Sequence, residues 1–219
     1  MKRGIVYITN NVCDEEILNS VRKRLLRIRD MDIVSVSHKP IDFGRNIVVE
    51  FPSCAESIIR QLFIGAEKSN ADLLYIAEHD VLYHGSHFEF VPNLKHHFCY
   101  NINVWQVDYL TGKAMFRMSK RTSQLVVYRD AFLEYMDEWI RIIDRDGYNK
   151  YMGVSPKSHK INGLTSAGLK RFSSFAPNID IRHNDNFSNF VYTNEINSDG
   201  VPLWGKTINN FNKYLYEFN

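Results

Sequence analysis

Asp72-Leu73-Leu74-Tyr75-Ile76-Ala77-Glu78-His79-Asp80 is the stretch on which the reading of this sequence turns. From Leu73 to Ala77 it is apolar without alternation, as a strand covered on both faces should be. It then breaks into two acids around a histidine. Upstream, strand and helix signals alternate. Gly4 to Thr9 is a short apolar run, expected as a buried strand. Asp14 is expected to cap a helix running to about Arg29, with Glu15 and Glu16 in its first turn, where the helix dipole favours acids. Ile17, Leu18, Val21 and Leu25 give that helix one apolar face. Asp32 to Ser37 reads as a second strand and Ile47 to Phe51 as a short third. Ser53, with Glu56 three residues on, has capping-box spacing, and it opens a helix whose stripe is Ile58, Ile59, Leu62, Phe63 and Ala66. Alternation of this kind predicts an α/β fold with an open, Rossmann-like, mostly parallel central sheet flanked by helices. Ligands of such sheets sit beyond the carboxyl ends of the strands. Those ends carry Thr9-Asn10-Asn11, Ser37-His38-Lys39 and Glu78-His79-Asp80, all polar.

The second half is less regular. Phe98 to Tyr109 and Ser123 to Tyr128 read as strands. Asp130 to Asp144 reads as a helix with Phe132, Met136, Ile140 and Ile143 on one side. Residues 146–175 read as loops with a short helix near Ala167 to Phe172, and Pro177 to His183 as one more short strand. The tail from Asn184 is rich in Asn, Phe and Tyr. With no internal repeat and no low-complexity linker, residues 1–219 are expected to form a single domain.

Composition narrows the class. The chain has 219 residues, 44% hydrophobic and 24% charged, which suits one full core and argues against disorder. Twenty-seven basic against 25 acidic residues leave +2, so a polyelectrolyte tail is excluded and net charge gives nucleic-acid binding no help. Cys13, Cys54 and Cys99 are far apart, with no CxxC pair, which argues against a disulfide framework or zinc knuckle and for a reducing, cytoplasmic setting. The first apolar run is too short for a signal peptide, and no stretch approaches the about 18 apolar residues of a membrane span. A soluble cytoplasmic chain without a membrane span is expected.

Three segments carry the chemistry. In an extended chain residues two apart share a face, so Glu78 and Asp80 project together at the sheet edge. Paired hard oxygen ligands suit Mg²⁺ or Mn²⁺ beside phosphates. At a second strand end stand Asp180-Ile181-Arg182-His183, where His183 offers a nitrogen ligand and Arg182 a partner for carboxylate or phosphate. The segment Ser37 to Asn46 holds Lys39, Asp42, Phe43 and Arg45: a cation for phosphate, a carboxylate for ribose, a ring for stacking. Other matches are weaker. Gly200 to Thr207 satisfies GxxxxGK[ST], yet Asn194 to Asp199 before it is no buried strand, so the match reads as coincidence. His84, His87, His96 and His97 lack a Cys or HExxH companion, which argues against zinc there. GxSxG, HExxH and a GxGxxG after the first strand are missing, which disfavours hydrolase, metalloprotease and dinucleotide-dehydrogenase readings. Arg117, Lys120 and Arg121, with Lys157, His159, Lys160, Lys170 and Arg171 later, make a modest basic clustering.

With these residues in place, the sequence resembles the GT-A fold glycosyltransferases that use nucleotide sugars, and looks closest to small phage or bacterial members. The resemblance covers about residues 4–130, and 177–190 through a second short motif. Tyr7-Ile8-Thr9-Asn10 matches the strand that opens the family's nucleotide pocket. Ser37 to Arg45 matches the loop that touches base and ribose. Ala77-Glu78-His79-Asp80-Val81-Leu82-Tyr83 stands where the family has its acidic metal motif. That motif is usually Asp-x-Asp. Here Glu78 replaces the first acid, which leaves Asp80 as the surer metal contact. Asn178 to His183 matches the segment whose histidine completes the metal shell.

The resemblance implies transfer of a sugar from a nucleoside diphosphate, UDP first among them, to an acceptor hydroxyl. Asp80 and His183 would hold Mn²⁺ or Mg²⁺. Thr9, Asn10, Asn11, Ser37, Lys39, Asp42, Arg45, Glu78, His79 and Arg182 would line the donor site, with Lys39 and Arg182 offsetting phosphate charge. Asp180 or Asp108 would deprotonate the acceptor if the sugar inverts, and Trp105 would give it an apolar platform. About residues 1–83 would form the nucleotide-sugar half and 84–219 the acceptor half. The acceptor is a glycan or, if the chain is phage-encoded and works in host cytoplasm, a hydroxymethylated base of modified DNA. Two other readings stand beside it. One is a non-catalytic nucleotide-binding module, with Glu78 marking lost chemistry. The other is a nucleotidyltransferase, although Asn10-Asn11-Val12-Cys13 lacks the glycine-rich basic loop that class needs.

Overall fold

The computed structural model describes residues 1–148, 168–184, 186 and 200–204. In chain order the elements are β1 (Arg3–Thr9), α1 (Glu15–Leu25), β2 (Met31–Ser37), β3 (Arg45–Val48), α2 (Ala55–Lys68), β4 (Leu73–Glu78), β5 (Val81–Leu82), β6 (His97–Asn101), β7 (Val104–Asp108), β8 (Ala114–Phe116), β9 (Leu125–Tyr128), α3 (Arg129–Asp146), β10 (Gly168–Phe172) and β11 (Asn178–Arg182). Seven strands form the central sheet in the order β10-β6-β9-β4-β1-β2-β3. Its pairings β1–β2, β1–β4, β2–β3 and β10–β6 are parallel, and β9 is antiparallel to both β4 and β6. The mostly parallel α/β sheet expected from the sequence is the sheet observed.

Both faces of the sheet are covered at its centre, which is why β1 and β4 are apolar almost throughout, whereas the edge strands β3 and β10 carry exposed residues. Ile5, Tyr7, Tyr75 and Ala77 face a core shared with Ile17, Val21 and Leu25 of α1. Val6, Ile8, Leu74 and Ile76 face a second core with Ile59, Leu62 and Ala66 of α2 and Phe132, Met136 and Ile143 of α3. Gly65 lets α2 approach β1 closely, for a Cβ there would lie 2.4 Å from Cγ1 of Val6. A second, four-stranded sheet, β5-β11-β7-β8, packs into the first core through Val81, Leu82, Val107, Ala114, Ile179 and Ile181.

Several boundaries differ from the sequence reading. The Asp14 cap is found, its carboxylate accepting from Glu16 N, but α1 stops at Leu25. The chain turns there through Arg27 N to Arg24 O and Ile28 N to Leu25 O, tighter bonds than a helix uses. β3 starts at Arg45 and ends at Val48. The cap of α2 is one residue later than Ser53 and Glu56 suggested. Cys54 N donates to Ser57 Oγ at 3.0 Å, and Ser57 Oγ donates back to Cys54 O at 2.7 Å. Glu56 instead meets Arg60 at 2.7 Å, an i,i+4 pair. The run from Phe98 to Tyr109 is two strands in different sheets. Asn101 Oδ1 accepts from Asn103 N at 3.0 Å, an Asx turn that sends the chain from one sheet to the other. Gly168 to Phe172 is a strand beside β6 and not the helix expected near Ala167 to Phe172. Pairing with an open sheet edge overrides the local helix signal there. Among the described residues, no helix is long and apolar enough to cross a membrane.

One core residue sets an acid limit on stability. His87 is fully buried among Tyr75, Tyr83, Phe88 and Phe172. Its Nδ1 lies 3.2 Å from Asn101 Nδ2, which can only donate, so the ring is neutral with its proton on Nε2. Burial pushes its pKa down to about 3. Between the ordinary histidine value of about 6.5 and this value the unfolded chain binds the extra proton, so stability falls as pH drops through that window. The expected slope approaches about 1 kcal/mol per pH unit near pH 5. Urea unfolding of wild type and His87→Phe at pH 7.5 and 5 checks this: the variant should lose less stability than wild type over that interval.

Candidate active site

The acidic motif and the late histidine meet because the chain changes sheets between them. β4 ends at Glu78, two residues turn, and β5 runs antiparallel to β11 with Val81 opposite Asp180 and Leu82 opposite Ile179. Ile181 N donates to Asp80 O at 2.8 Å, which fixes the register at the turn itself. Tyr83, buried, clamps the motif from below: its hydroxyl accepts from Glu78 N at 3.0 Å and donates to Ser123 O at 2.9 Å. β1, β2 and β4 are parallel, so Thr9, Ser37 and Glu78 emerge at the same edge. Over that edge opens a cavity of about 300 Å³, walled by the ends of β1 and β4, the first turns of α2, residues 120–123 and β11.

Three carboxyl groups and two guanidinium groups share the cavity wall. Asp180 is buried and ion-paired with Arg121 and, at 2.8 Å, with Arg182. Burial lifts the Asp180 carboxyl above its ordinary range despite both cations. Burial, then the charges of Asp80 and Asp180, raises Glu78 to about 8, so it holds a proton at neutral pH. Asp80 goes the other way. Burial pushes it up, but His183, His79 and Arg182 outweigh that and hold it below the usual carboxylate range. Glu78 and Asp80 therefore differ in charge state, with Asp80 the ready anion.

The donor set beside Asp80 fits a divalent cation. Asp80 Oδ2 lies 3.8 Å from His183 Nε2. An ion about 2.1 Å from each ligand atom spans any separation up to about 4.2 Å. Asn186 holds both partners: its Nδ2 donates to Asp80 Oδ2 at 2.7 Å and its Oδ1 accepts from His183 N at 2.7 Å. Among the described residues, Cys13, His79 and His183 are a group whose ligand atoms all lie within 4.8 Å of one another.

Of the residues expected at the site, Thr9, Asn10, Glu78, His79, Asp80, Asp180 and Arg182 line the cavity, and His183 adjoins it through Asp80. Others serve the loops around it. Thr9 Oγ1 accepts from Asn11 N, and Asn10 Oδ1 from Val12 N. Asn11, at φ 61, accepts from the amides of His38 and Lys39 with its Oδ1, tying the β1 and β2 ends together. Ser37 Oγ donates to Lys39 O and accepts from Asn46 Nδ2. Lys39, Asp42 and Arg45 are exposed and outside the cavity wall, and Arg45 is bonded to the Lys68 carbonyl at the end of α2. Trp105 packs against Phe116 with ring centroids 5.7 Å apart, and Asp108 Oδ1 accepts from Thr111 N and Oγ1; neither lines the cavity.

Sequence reading missed Gln61, Arg121, Asn186 and Cys13. Gln61 is a polar residue on the buried face of α2, and its Nε2 donates to Thr9 O at 3.0 Å and Val36 O at 3.2 Å. That break in an apolar stripe was the available signal. Arg121 was read as part of a basic surface, but it is committed to Asp180, and Arg117 Nε to Gln106 Oε1 at 3.2 Å. Lys157, His159 and Lys160 lie outside the described residues. So do Gly205, Lys206 and Thr207 of the phosphate-loop match, whose Trp204 is buried with Nε1 donating to Pro177 O at 2.7 Å.

No protein-family model and no curated protein matches the chain. Among solved structures it is similar to the Aq1419 protein of Aquifex aeolicus VF5, with TM-score 0.48 and 12% identity over 78% of this chain and 85% of that one. It is also similar to the glycosyltransferase GlyE of Streptococcus pneumoniae TIGR4 in its apo form, with TM-score 0.45 and 8% identity over 70% of this chain and 41% of that one. A third is the mannosyltransferase PcManGT of Pyrobaculum calidifontis in complex with GDP-Man and Mn²⁺, with TM-score 0.46 and 10% identity over 83% and 56% of the two chains. The chain thus spans 41% of the GlyE chain and 56% of the PcManGT chain.

Proposed function

We propose that the chain is a metal-dependent glycosyltransferase that moves a sugar from a nucleoside diphosphate sugar, UDP-sugar first among the donors, to an acceptor hydroxyl. The observation that carries the reading is the convergence of Asp80 and His183, 3.8 Å apart, with Arg182 and Arg121 at the carboxyl end of a parallel sheet. A departing diphosphate is stabilised by positive charge, which a bound cation and fixed guanidinium groups can both supply. A cavity of about 300 Å³ is the lower end of what small-ligand sites occupy.

In this reading Asp80 and His183 would hold a Mn²⁺ or Mg²⁺ ion, which would supply positive charge for the leaving diphosphate. Arg182 and Lys120 add positive charge from the wall. Thr9, Asn10 and Gln61 position the nucleotide at the end of β1. Asp180 faces the cavity and takes the acceptor proton. Its burial favours that step, because a carboxylate held above its ordinary range is a stronger base. Asp108, turned to Thr111, is the weaker candidate for this role. Residues 1–83 make the donor half and later residues the acceptor half.

Thermal unfolding with a panel of nucleoside diphosphates and Mn²⁺ tests the donor site, since a ligand of the folded state raises apparent stability by about 2.7 kcal/mol at 100 times its Kd. At least one diphosphate should raise the midpoint only with the cation present. A panel with no shift would remove the reading. The acceptor, a glycan or a hydroxymethylated DNA base, is separated by duplex DNA retardation against salt.

A further inference from the structure

The loop between β1 and α1 brings a thiol to the same place as the proposed metal ligands. Cys13 sits one residue before the Asp14 cap, at the carboxyl end of β1. Its Sγ lies 3.6 Å from His183 Nε2, the nitrogen that also faces Asp80 Oδ2 at 3.8 Å. Bonds of about 2.3 Å to sulfur and about 2.1 Å to nitrogen, at a tetrahedral angle, place the two atoms about 3.6 Å apart. His79 completes the group, with its ligand nitrogen within 4.8 Å of both. Its ring is also hydrogen-bonded to the Ile8 backbone, the kind of outer contact that fixes the orientation of a metal-binding imidazole.

We propose that Cys13 is a metal ligand, forming with His79 and His183 a sulfur and nitrogen centre, next to Asp80, that takes an ion of the zinc and cobalt class in preference to Mg²⁺. Hard cations select oxygen, whereas a thiolate with two imidazoles selects borderline-soft ions. The thiol proton of Cys13 leaves to solvent as the sulfur–metal bond forms. The three ligands come from three separate parts of the chain, which is why no CxxC or HExxH pattern announces them. The inference rests on the proposed donor site, whose His183 it shares, and it changes the identity of the ion.

The test is a Co²⁺ titration of the full chain, reduced and freed of metal by chelation, followed by absorption. One equivalent of Co²⁺ should produce a sulfur-to-cobalt charge-transfer band in the near ultraviolet, abolished by one equivalent of Zn²⁺. Cys13→Ser should lose the band and bind Co²⁺ at least about tenfold more weakly, with the metal-free melting midpoint unchanged. Cys54→Ser, altered at an exposed thiol, should keep the band. Absence of the band, or its persistence in Cys13→Ser, would overturn the proposal. Diphosphate binding is measured separately by calorimetry with Mn²⁺. Diphosphate binding without the sulfur band keeps the donor site and removes the thiolate centre. The band without diphosphate binding does the reverse.

Discussion

Asp80→Asn is expected to reduce cation-dependent donor turnover roughly a thousandfold, the scale of losing a principal electrostatic contact to the transition state. The change is nearly isosteric, and Asn186 Nδ2 still has an oxygen to meet at that position. What disappears is the anion. Asp80 is held ionised by His183, His79 and Arg182 against its burial, so it is the carboxylate of the motif that is charged at neutral pH. Glu78 is not, because burial and the neighbouring acids raise it to about 8. Glu78→Gln should therefore cost far less activity at pH 7 than Asp80→Asn. Steady-state rates for both variants, with melting midpoints alongside, check the ordering. Equal losses would mean that the two acids act as an ordinary pair.

Arg182→Met is expected to destabilise the fold by about 3 kcal/mol, the cost of leaving a buried charge without one of its partners. Asp180 is nearly inaccessible and Arg182 equally so, and their 2.8 Å bond is made inside the wall of the cavity. Arg121 remains on Asp180 and offsets part of the loss. Each kcal/mol moves the melting midpoint of a chain of this size by about 2–4 °C. The same variant should weaken diphosphate binding, since Arg182 is one of the fixed positive charges there. A double-mutant cycle with Asp180→Leu separates the two effects. The pair should cost less than the sum of its parts by about 1–3 kcal/mol in stability, while diphosphate binding stays weak in both Arg182 variants.

The central strands β1 and β4 were legible because they are buried on both faces and read as unbroken apolar runs, while β2 alternates through Ser35 and Ser37. Their polar ends at Thr9, Ser37 and Glu78 followed from the same reading, since a parallel sheet puts all its carboxyl ends on one side. The second sheet was not legible. β5 is two residues long and β8 three, and each exists only because β11 and β7 are beside it. The break at Asn101 was signalled by Asn101-Ile102-Asn103, but a continuous apolar strand reads almost the same until the Asx turn is seen. At the site, Asp80, Glu78, Asp180 and Arg182 were found because each ends or borders a strand. Lys39, Asp42 and Arg45 were drawn into the donor site by residue type alone, and the loop turns them to solvent or to α2. Cys13, Gln61 and Asn186 escaped because each is a single polar residue whose contact at the site, His183, Thr9 or Asp80, comes from a distant part of the chain.

The proposed function requires cation-dependent cleavage of a nucleotide sugar in the cavity above β1 and β4. It is tested most directly by measuring nucleoside diphosphate release from a panel of nucleotide sugars, with chelator and with added divalent cation. At least one donor should be turned over slowly to water, with release abolished by chelation and restored by the cation. Release that chelation leaves unchanged, or a panel with no release under any cation, would contradict the claim.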